Sequence, residues 1–367
     1  MVGQAALLIL FLVMLQYLIL WFRITRNFKA YRNYPAFLPA ISVLLPCRNE
    51  AKNLPACLRS LEQLRYPDHK IRFLLADDHS EDETGGILAA WASLKNNRQL
   101  ISLDKRPGDG ENGKALALAA MATRVPEGEL MVLTDADCEV PAGWAENMAK
   151  AYRDTYGAVT GITTISGKGI FARMQALDWW LTLGKVKVVS DWGCTLTAMG
   201  NNMCVGKQAY EEVGGFYEVR KEVTEDLALA RALFRDGKRP IHLVDKEVLV
   251  KTLPEPSFSR LMKQRKRWMR GAFLLPWYWQ LLLGLQVGFY LALVPALYHF
   301  PLLGAMAWTG KILAQSLFIG TFAAKTETKI KPEELIGFEI YNWMVSWSTV
   351  LYYFWPGAIQ WKKRRYP

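Results

Sequence analysis

Apolar positions divide the 367-residue chain into three regimes. Residues 5–22 form an almost unbroken apolar run of eighteen positions, with Gln16 its one polar member. At 1.5 Å rise per residue such a run covers about 27 Å, close to the hydrocarbon thickness of a bilayer. Met1–Gln4 carries no charge, and Trp21-Phe22 leads directly into Arg23, Arg26, Lys29 and Arg32. That order fits a retained transmembrane anchor better than a cleaved leader, and the basic residues place the domain after them in the cytoplasm. The last third is apolar again. Residues 278–300, 302–322 and 335–355 are each long enough to span, with Pro301 between the first two. Three spans there would put Lys362-Lys363-Arg364-Arg365 outside, against the positive-inside rule, and Lys311 and Glu339 interrupt the runs. One of the three is therefore open to a re-entrant or interfacial reading.

Between these ends the pattern changes to short runs. Residues 41–45 predict a buried strand, followed by a helix from Pro55 with Leu58, Leu61 and Leu64 on its apolar face. Residues 71–75 predict a second strand, and Ser80 with Glu83 predicts a capping box for the next helix. A helix is expected from Gly113-Lys114, then a strand over 130–133. This β-α-β-α-β order predicts an α/β fold with a mostly parallel sheet, in which ligands bind beyond the carboxyl ends of the strands. Over 168–192, Trp179, Trp180 and flanking lysines fit either an amphipathic core helix or a helix lying on the membrane. The same two readings hold for 273–279.

Composition sharpens this. Hydrophobic residues are 51% and charged residues 22%, which excludes a disordered chain. The mean hydropathy of +0.04 averages a polar middle and apolar ends. Lys plus Arg is 45 against 34 acidic residues, a net +11 that suits nucleic acid, an anionic membrane or phosphorylated ligands. The basic residues cluster beside the membrane segments and no nucleic-acid motif is present, so no nucleic-acid partner is expected. Five Cys without CxxC spacing and four His argue against a disulfide framework and against zinc. The GxGxxG spacing of Gly108–Gly113 does not follow a predicted strand, so no dinucleotide fingerprint is supported, and Ala115 stands where a P-loop needs Ser or Thr.

The chemistry sits in polar clusters at strand and helix ends. Asp135-Ala136-Asp137 follows a strand, where two carboxylates two apart can face one ligand and share Mg²⁺ or Mn²⁺ with a diphosphate. Such pairs also form ordinary turns. Asp77-Asp78 is either a solvated turn or a contact for a nucleoside. Thr224-Glu225-Asp226 opens an apolar helical pattern as a cap, or supplies a general base. In Gln264-Arg265-Lys266-Arg267-Trp268, the charge alone fits a juxtamembrane patch on anionic lipid. Gln264 and Arg267 can also hold a diphosphate, and Trp268 a sugar ring.

Pro46-Cys47-Arg48-Asn49-Glu50, Asp77-Asp78, Asp135-Ala136-Asp137, Thr224-Glu225-Asp226 and Gln264-x-x-Arg267-Trp268 stand in that order. Across residues 41–271 the set resembles membrane-bound family 2 glycosyltransferases, which include cellulose, chitin and hyaluronan synthases and, by related motifs, ceramide glucosyltransferases. The resemblance implies a GT-A fold, a nucleotide-diphosphate sugar donor such as a UDP-sugar, and inverting transfer. It implies that Asp226 is the catalytic base. Asp77, Asp78, Lys114, Asp135, Gln264 and Arg267 would serve the donor, and Asp137 with Asp135 the divalent metal. Trp268, Glu225 and Asn201 would serve the acceptor, although Gly200-Asn201-Asn202 reads equally well as a plain turn. The implied partners are a nucleotide sugar, a lipid or glycan acceptor and the bilayer.

The expected organisation is an anchor over 1–23, a basic linker over 24–40, a cytoplasmic GT-A domain over 41–271, and interfacial and transmembrane helices over 272–367. The expected activity is sugar transfer to a lipid or lipid-linked hydroxyl. A processive polysaccharide synthase is the alternative within the family. A transporter or scaffold using Lys311 and Glu339 is the alternative outside it.

Overall fold

A computed structural model describes residues 1–31, 37–103, 106–361 and 364–366. Arg32 and the Lys362-Lys363 pair of the basic tail lie outside the described residues. The chain begins with α1 (Val2–Arg26), β1 (Ile41–Cys47), α2 (Leu54–Glu62), β2 (Ile71–Asp77), α3 (Thr84–Ala92) and β3 (Arg98–Ile101). There follow α4 (Gly113–Ala122), β4 (Leu130–Thr134), β5 (Cys138–Glu139), α5 (Trp144–Ala151), β6 (Ala158–Thr160), β7 (Thr163–Ile165) and α6 (Ile170–Asp191). Next come β8 (Asn202–Gly206), α7 (Lys207–Glu212), α8 (Gly215–Glu218), α9 (Glu225–Arg235), β9 (Ile241–His242) and β10 (Val250–Thr252). The chain closes with α10 (Phe258–Phe273), α11 (Trp277–His299), α12 (Pro301–Ala324), α13 (Pro332–Phe354), β11 (Ile359–Trp361) and β12 (Arg364–Tyr366).

These elements form two compact units that do not follow contiguous boundaries. One is residues 29–166, 189–253 and 358–367. Its main sheet has the order β3-β2-β1-β4-β8-β6-β9, with β1, β2, β3 and β4 mutually parallel and β8 antiparallel to β4 and β6. β1 and β4 are buried along their whole length, as expected of parallel strands covered on both faces. The register pairs Cys47 with Asp77 and Leu44 with Leu133, so β1, β2 and β4 deliver their carboxyl ends to one edge. The order reverses between β1 and β4, the kind of switch point that opens a binding crevice. A small sheet, β5-β10-β7, pairs Cys138 with Thr252 just after that edge. Ile359 of the tail is buried in this unit against Val223.

Local expectations largely hold here. Pro55 lies in the first turn of α2, and Leu54, Leu58 and Leu61 are buried, while Leu64 falls beyond the helix end. The expected capping box does not form. The Ser80 hydroxyl instead donates to Asp77 Oδ1, and the α3 N-terminus is met by Asp82, whose Oδ1 accepts from the Thr84 amide (3.1 Å). The Ser80 oxygen, the atom a cap would use, accepts instead from the Asn49 amide (2.9 Å).

The other unit is residues 1–28, 167–188 and 254–357. Among the described residues, three helices are long and apolar enough to cross a membrane: α1, α11 and α12. α13 has the length but not the apolarity, so the expected third C-terminal span is an apolar-faced helix of another kind. Lys311 on α12 and Glu339 on α13 are buried and pair with each other. Tyr290 accepts from Lys311 (3.0 Å) and Trp308 donates to Glu339 (3.1 Å). Two opposite charges that satisfy one another need no transport role to be tolerated in an apolar bundle.

α6 and α10 join this unit because their apolar faces meet its helices. Trp180 packs on Phe322 with ring centroids 5.7 Å apart, and Trp179 on Trp268 at 5.8 Å. A Cβ on Gly184 would lie 2.7 Å from the Phe318 ring, so glycine is what lets α6 approach α12. Both tryptophans are buried, which decides for the core reading of α6 over a membrane-lying one. Leu261 and Met262 of α10 cluster with Val345 of α13.

Candidate active site

The first polar cluster is built at the start of α4. Asn112 caps this helix, its side-chain oxygen accepting from the amides of Lys114 (3.0 Å) and Ala115 (3.3 Å). That fixes Lys114 in the first turn. Its Nζ lies 2.6 Å from Asp135 Oδ1 and 3.3 Å from Glu225 Oε1. One ammonium thus joins the carboxylate after β4 to the carboxylate that opens α9. Burial works to lower its pKa, but Asp135, then Glu225, outweigh it and hold Lys114 above its usual range. It is a fixed cation at this edge of the sheet.

Asp226 is the next residue on α9. The Gly200 amide donates to its Oδ2 and the Leu227 amide to its Oδ1, both at 2.8 Å. Gly200 is needed for that approach, because a Cβ there would lie 3.0 Å from Asp226 Cβ. The approach follows from register: β8 pairs Asn202 with Thr134, which carries the 200–202 turn alongside the end of β4. Burial pushes the Asp226 carboxyl up, and Glu225 adds to it. Lys114 and the two amides oppose them, and the group settles at about 6 against an ordinary 3.8. A carboxylate that takes up a proton near neutrality has the acidity wanted of a general base.

Asp135 and Asp137 are both half-buried, while Ala136 between them is buried. The Cys138 thiol is within 3.5 Å of Asp137 Oδ1, and the Cys57 thiol within 3.6 Å of the Asp135 carbonyl. Burial, then the nearby aspartates, push both thiols well above their ordinary range, so they stay protonated and inert. Among the described residues no group of three or more His, Cys, Asp or Glu is arranged to hold a metal. As metal ligands, Asp135 and Asp137 would offer carboxylate oxygens alone. That is a fit for Mg²⁺ or Mn²⁺ with the remaining positions left to water or phosphate, and a poor fit for a closed structural site.

Asp77 and Asp78 come out at the same sheet edge. Asp77 accepts from the Ser80 amide (3.1 Å), and Asp78 is buried beside Arg48, whose Nη1 donates to the Asp78 carbonyl (2.6 Å). A buried aspartate with an arginine partner is more than a solvated turn.

Two expected acceptor residues face inward. Glu225 is buried and engages Lys114 and the Asn112 amide (2.8 Å). Asn201 is buried, accepting from Thr163 (3.2 Å) and donating towards Cys138 Sγ (3.6 Å). Its neighbour Asn202 is spent on the Ile162 and Val248 carbonyls and on Trp144. The turn is a built structural element. The sequence pattern does not mark Asn112 or Arg48 as site residues; an Asn before Gly-Lys and an alanine-rich run is the one local signal for the first.

Gln264, Arg267 and Trp268 lie on α10, in the helical unit. Gln264 donates to Glu255 (3.0 Å), and Glu255 is held by reciprocal backbone bonds with Gln175 of α6. Arg265 pairs with Asp178 and lies over the Trp268 ring, 5.0 Å from its centroid. The motif is thus tied to α6 within its own unit.

Comparison with known proteins identifies the family. The family model described as "Glycosyl transferase family 21" matches residues 5–367. A beta-monoglucosyldiacylglycerol synthase of Trichormus variabilis is 27% identical over 260 residues, 68% of this chain and 53% of that protein. A probable glycosyltransferase, YdaM, of Bacillus subtilis is 25% identical over 260 residues, 67% of this chain and 58% of that protein. The chain thus spans little more than half the length of these curated relatives. The mannosyltransferase PcManGT of Pyrobaculum calidifontis, solved with GDP-Man and Mn²⁺, shares the fold. Its TM-score is 0.58 at 18% identity, covering 97% of this chain and 99% of that one.

Proposed function

The chain belongs to glycosyl transferase family 21, and from that premise we propose that it is an inverting enzyme moving a sugar from a nucleotide-diphosphate donor to a lipid hydroxyl. The observation that carries this is the Lys114 bridge, which gathers Asp135 and Glu225, and with Glu225 the adjacent Asp226, at the carboxyl edge of a parallel sheet. The donor diphosphate would lie against Lys114, with its nucleoside towards Asp77 and Asp78. Asp135 and Asp137 would hold a divalent cation, which when bound supplies positive charge to the diphosphate oxygens. The likeness to a mannosyltransferase solved with Mn²⁺ supports that assignment.

Asp226 takes the proton of the acceptor hydroxyl as its oxygen attacks the anomeric carbon. The new carbon–oxygen bond forms on the face opposite the departing diphosphate, whose bond to that carbon breaks with both electrons staying on phosphate oxygen. Lys114 offsets the charge developing there. The single displacement inverts the centre. The Gly200 and Leu227 amides keep Asp226 oriented between turnovers.

The lipid acceptor is favoured over a growing glycan by the relative named for a glucosylated diacylglycerol. The catalytic unit is assigned to the cytoplasm on two grounds. Arg23, Arg26 and Lys29 come directly after α1 or at its end. Ile359 of the tail also packs against Val223 of the same unit, which favours an even number of crossings by the helices before it. α11 and α12 account for both crossings. α13 then lies in the interface, with Ile336, Ile340, Trp343, Leu351 and Phe354 as its exposed apolar stripe.

The test is incubation of the purified full chain in lipid with UDP-glucose, UDP-N-acetylglucosamine or GDP-mannose, each with diacylglycerol or ceramide, and mass spectrometry of the lipids. One lipid heavier by a single sugar is expected. Polymer, or no sugar on any lipid, would refute the proposal.

A further inference from the structure

Asn112 is buried at 1% exposure, and every polar group it owns is engaged. Its side-chain oxygen caps α4, accepting from Lys114 and Ala115. Its side-chain amide points the other way, donating to the Glu222 carbonyl (3.0 Å) and to Glu225 Oε2 (2.8 Å). Its backbone amide donates to the Arg220 carbonyl (2.6 Å), and its own carbonyl accepts from Leu116 (3.1 Å). Beside it, Arg220 pairs with Glu111 (3.3 Å). At the entrance to α9, Lys114 also holds Glu225, the Gly200 amide holds Asp226, and Val223 packs on Ile359. Thr224 occupies the N-cap with φ −120° and ψ 79°, and its side chain caps nothing.

We propose that Asn112 is a positioning residue for the transfer reaction: one asparagine sets Lys114 with its oxygen and the turn carrying Glu225 and Asp226 with its amide. The inference rests on the transfer reading given under the proposed function. Its physical content is directional. The oxygen half stabilises a helix end, a role any short side chain with an acceptor fills. The amide half is a donor to two acceptors of a distant segment, and an oxygen in its place meets oxygens. Without it the Glu222 carbonyl and Glu225 lose a partner, and the 222–226 turn loses one of its tethers. A base displaced by a fraction of an ångström loses rate while the donor site stays whole.

Two variants separate the halves. Asn112→Ser and Asn112→Asp each keep an acceptor for the Lys114 amide and lose the amide donor, whereas Asn112→Ala loses both. The readouts, on the full chain in lipid, are thermal midpoint, Mn²⁺-dependent UDP affinity and kcat. Against Asn112→Ala, the Ser variant recovers thermal midpoint and UDP affinity to within about threefold of wild type, yet kcat stays down at least about tenfold. The Asp variant, with a carboxylate facing Glu225, falls further in kcat. A merely structural residue gives the opposite pattern, kcat returning with the midpoint in Asn112→Ser, and that result overturns the proposal. Should Ser fold poorly, wild-type kcat in a folded Asp variant overturns it equally. Absence of transfer by the wild type would instead strike the reading on which this rests.

Discussion

Replacing Asp226 by Asn tests the base assignment, because the structure predicts that rate and stability part company. The wild-type carboxyl titrates at about 6 instead of 3.8, chiefly from burial and then from Glu225. Two pH units correspond to about 3 kcal/mol of unfavourable charge at neutral pH, an upper bound for a group that keeps some solvent access. Asparagine removes that charge. It also turns an NH₂ towards either the Gly200 or the Leu227 amide, leaving one donor facing another at a cost of about 1–3 kcal/mol. The two effects offset, so stability at pH 7.5 moves by less than about 2 kcal/mol. Turnover falls by about 10²–10⁴, the usual contribution of a positioned base.

Because this carboxyl titrates higher folded than unfolded, it costs the fold nothing below about 3.8. The cost grows as pH rises and is complete above about 6. Asp226→Asn therefore gains stability relative to wild type between pH 4 and pH 6.5. Wild-type kcat rises through the same region and levels off above it. The assays are thermal midpoints across that range, UDP binding with Mn²⁺, and initial rates of sugar transfer. A variant that folds, binds UDP and turns over at more than about a tenth of the wild-type rate refutes the assignment.

Asp137→Ala should abolish the Mn²⁺ dependence of UDP binding, read by calorimetry, while the thermal midpoint without metal holds. Lys114→Met leaves Asp135 and Glu225 without their shared cation and should destabilise the fold by about 3 kcal/mol as well as weaken UDP binding, seen by denaturation and titration. In the helical unit, Lys311→Met strands Glu339 and should cost about 3–5 kcal/mol. Adding Glu339→Gln should recover most of it, and a double variant no better than the single would refute the pairing. A protease-cleavable tag fused after the tail should be cut from the same side of sealed vesicles as an exposed loop of the catalytic unit; cleavage from the opposite side would make α13 a third C-terminal span.

How much of this was legible in the sequence depends on the range of the forces involved. Burial and periodicity are local, so the apolar runs of α1, α11 and α12 and the strands β1, β2 and β4 could be read within a few residues of where they lie. So could the places of the acids, since Asp77, Asp135 and Asp226 each sit where a strand or helix begins or stops. Partner choice was not local. Ser80 has the spacing of a cap, but folding sets its oxygen against the Asn49 amide, 31 residues away in sequence. Trp179 and Trp180 had the composition of an interfacial pair, and only the packing of α6 against α10 and α12 buried them. The resemblance implies an acceptor contact for Glu225, and the fold turns its side chain inward to Lys114.

The sequence by itself determined that an α/β sheet would present carboxylates at its edge between membrane-bound ends. Hydrophobic periodicity and the strand-end acids are written into adjacent residues. Which of those acids would share one lysine was decided only by tertiary structure. Asn112 and Glu225 are 113 residues apart, and strand order and the β4–β8 register bring their segments together. The same holds for the membrane ends. Charge along the chain marked Lys311 and Glu339 as misfits, and the packing of α12 on α13 made them a neutral pair.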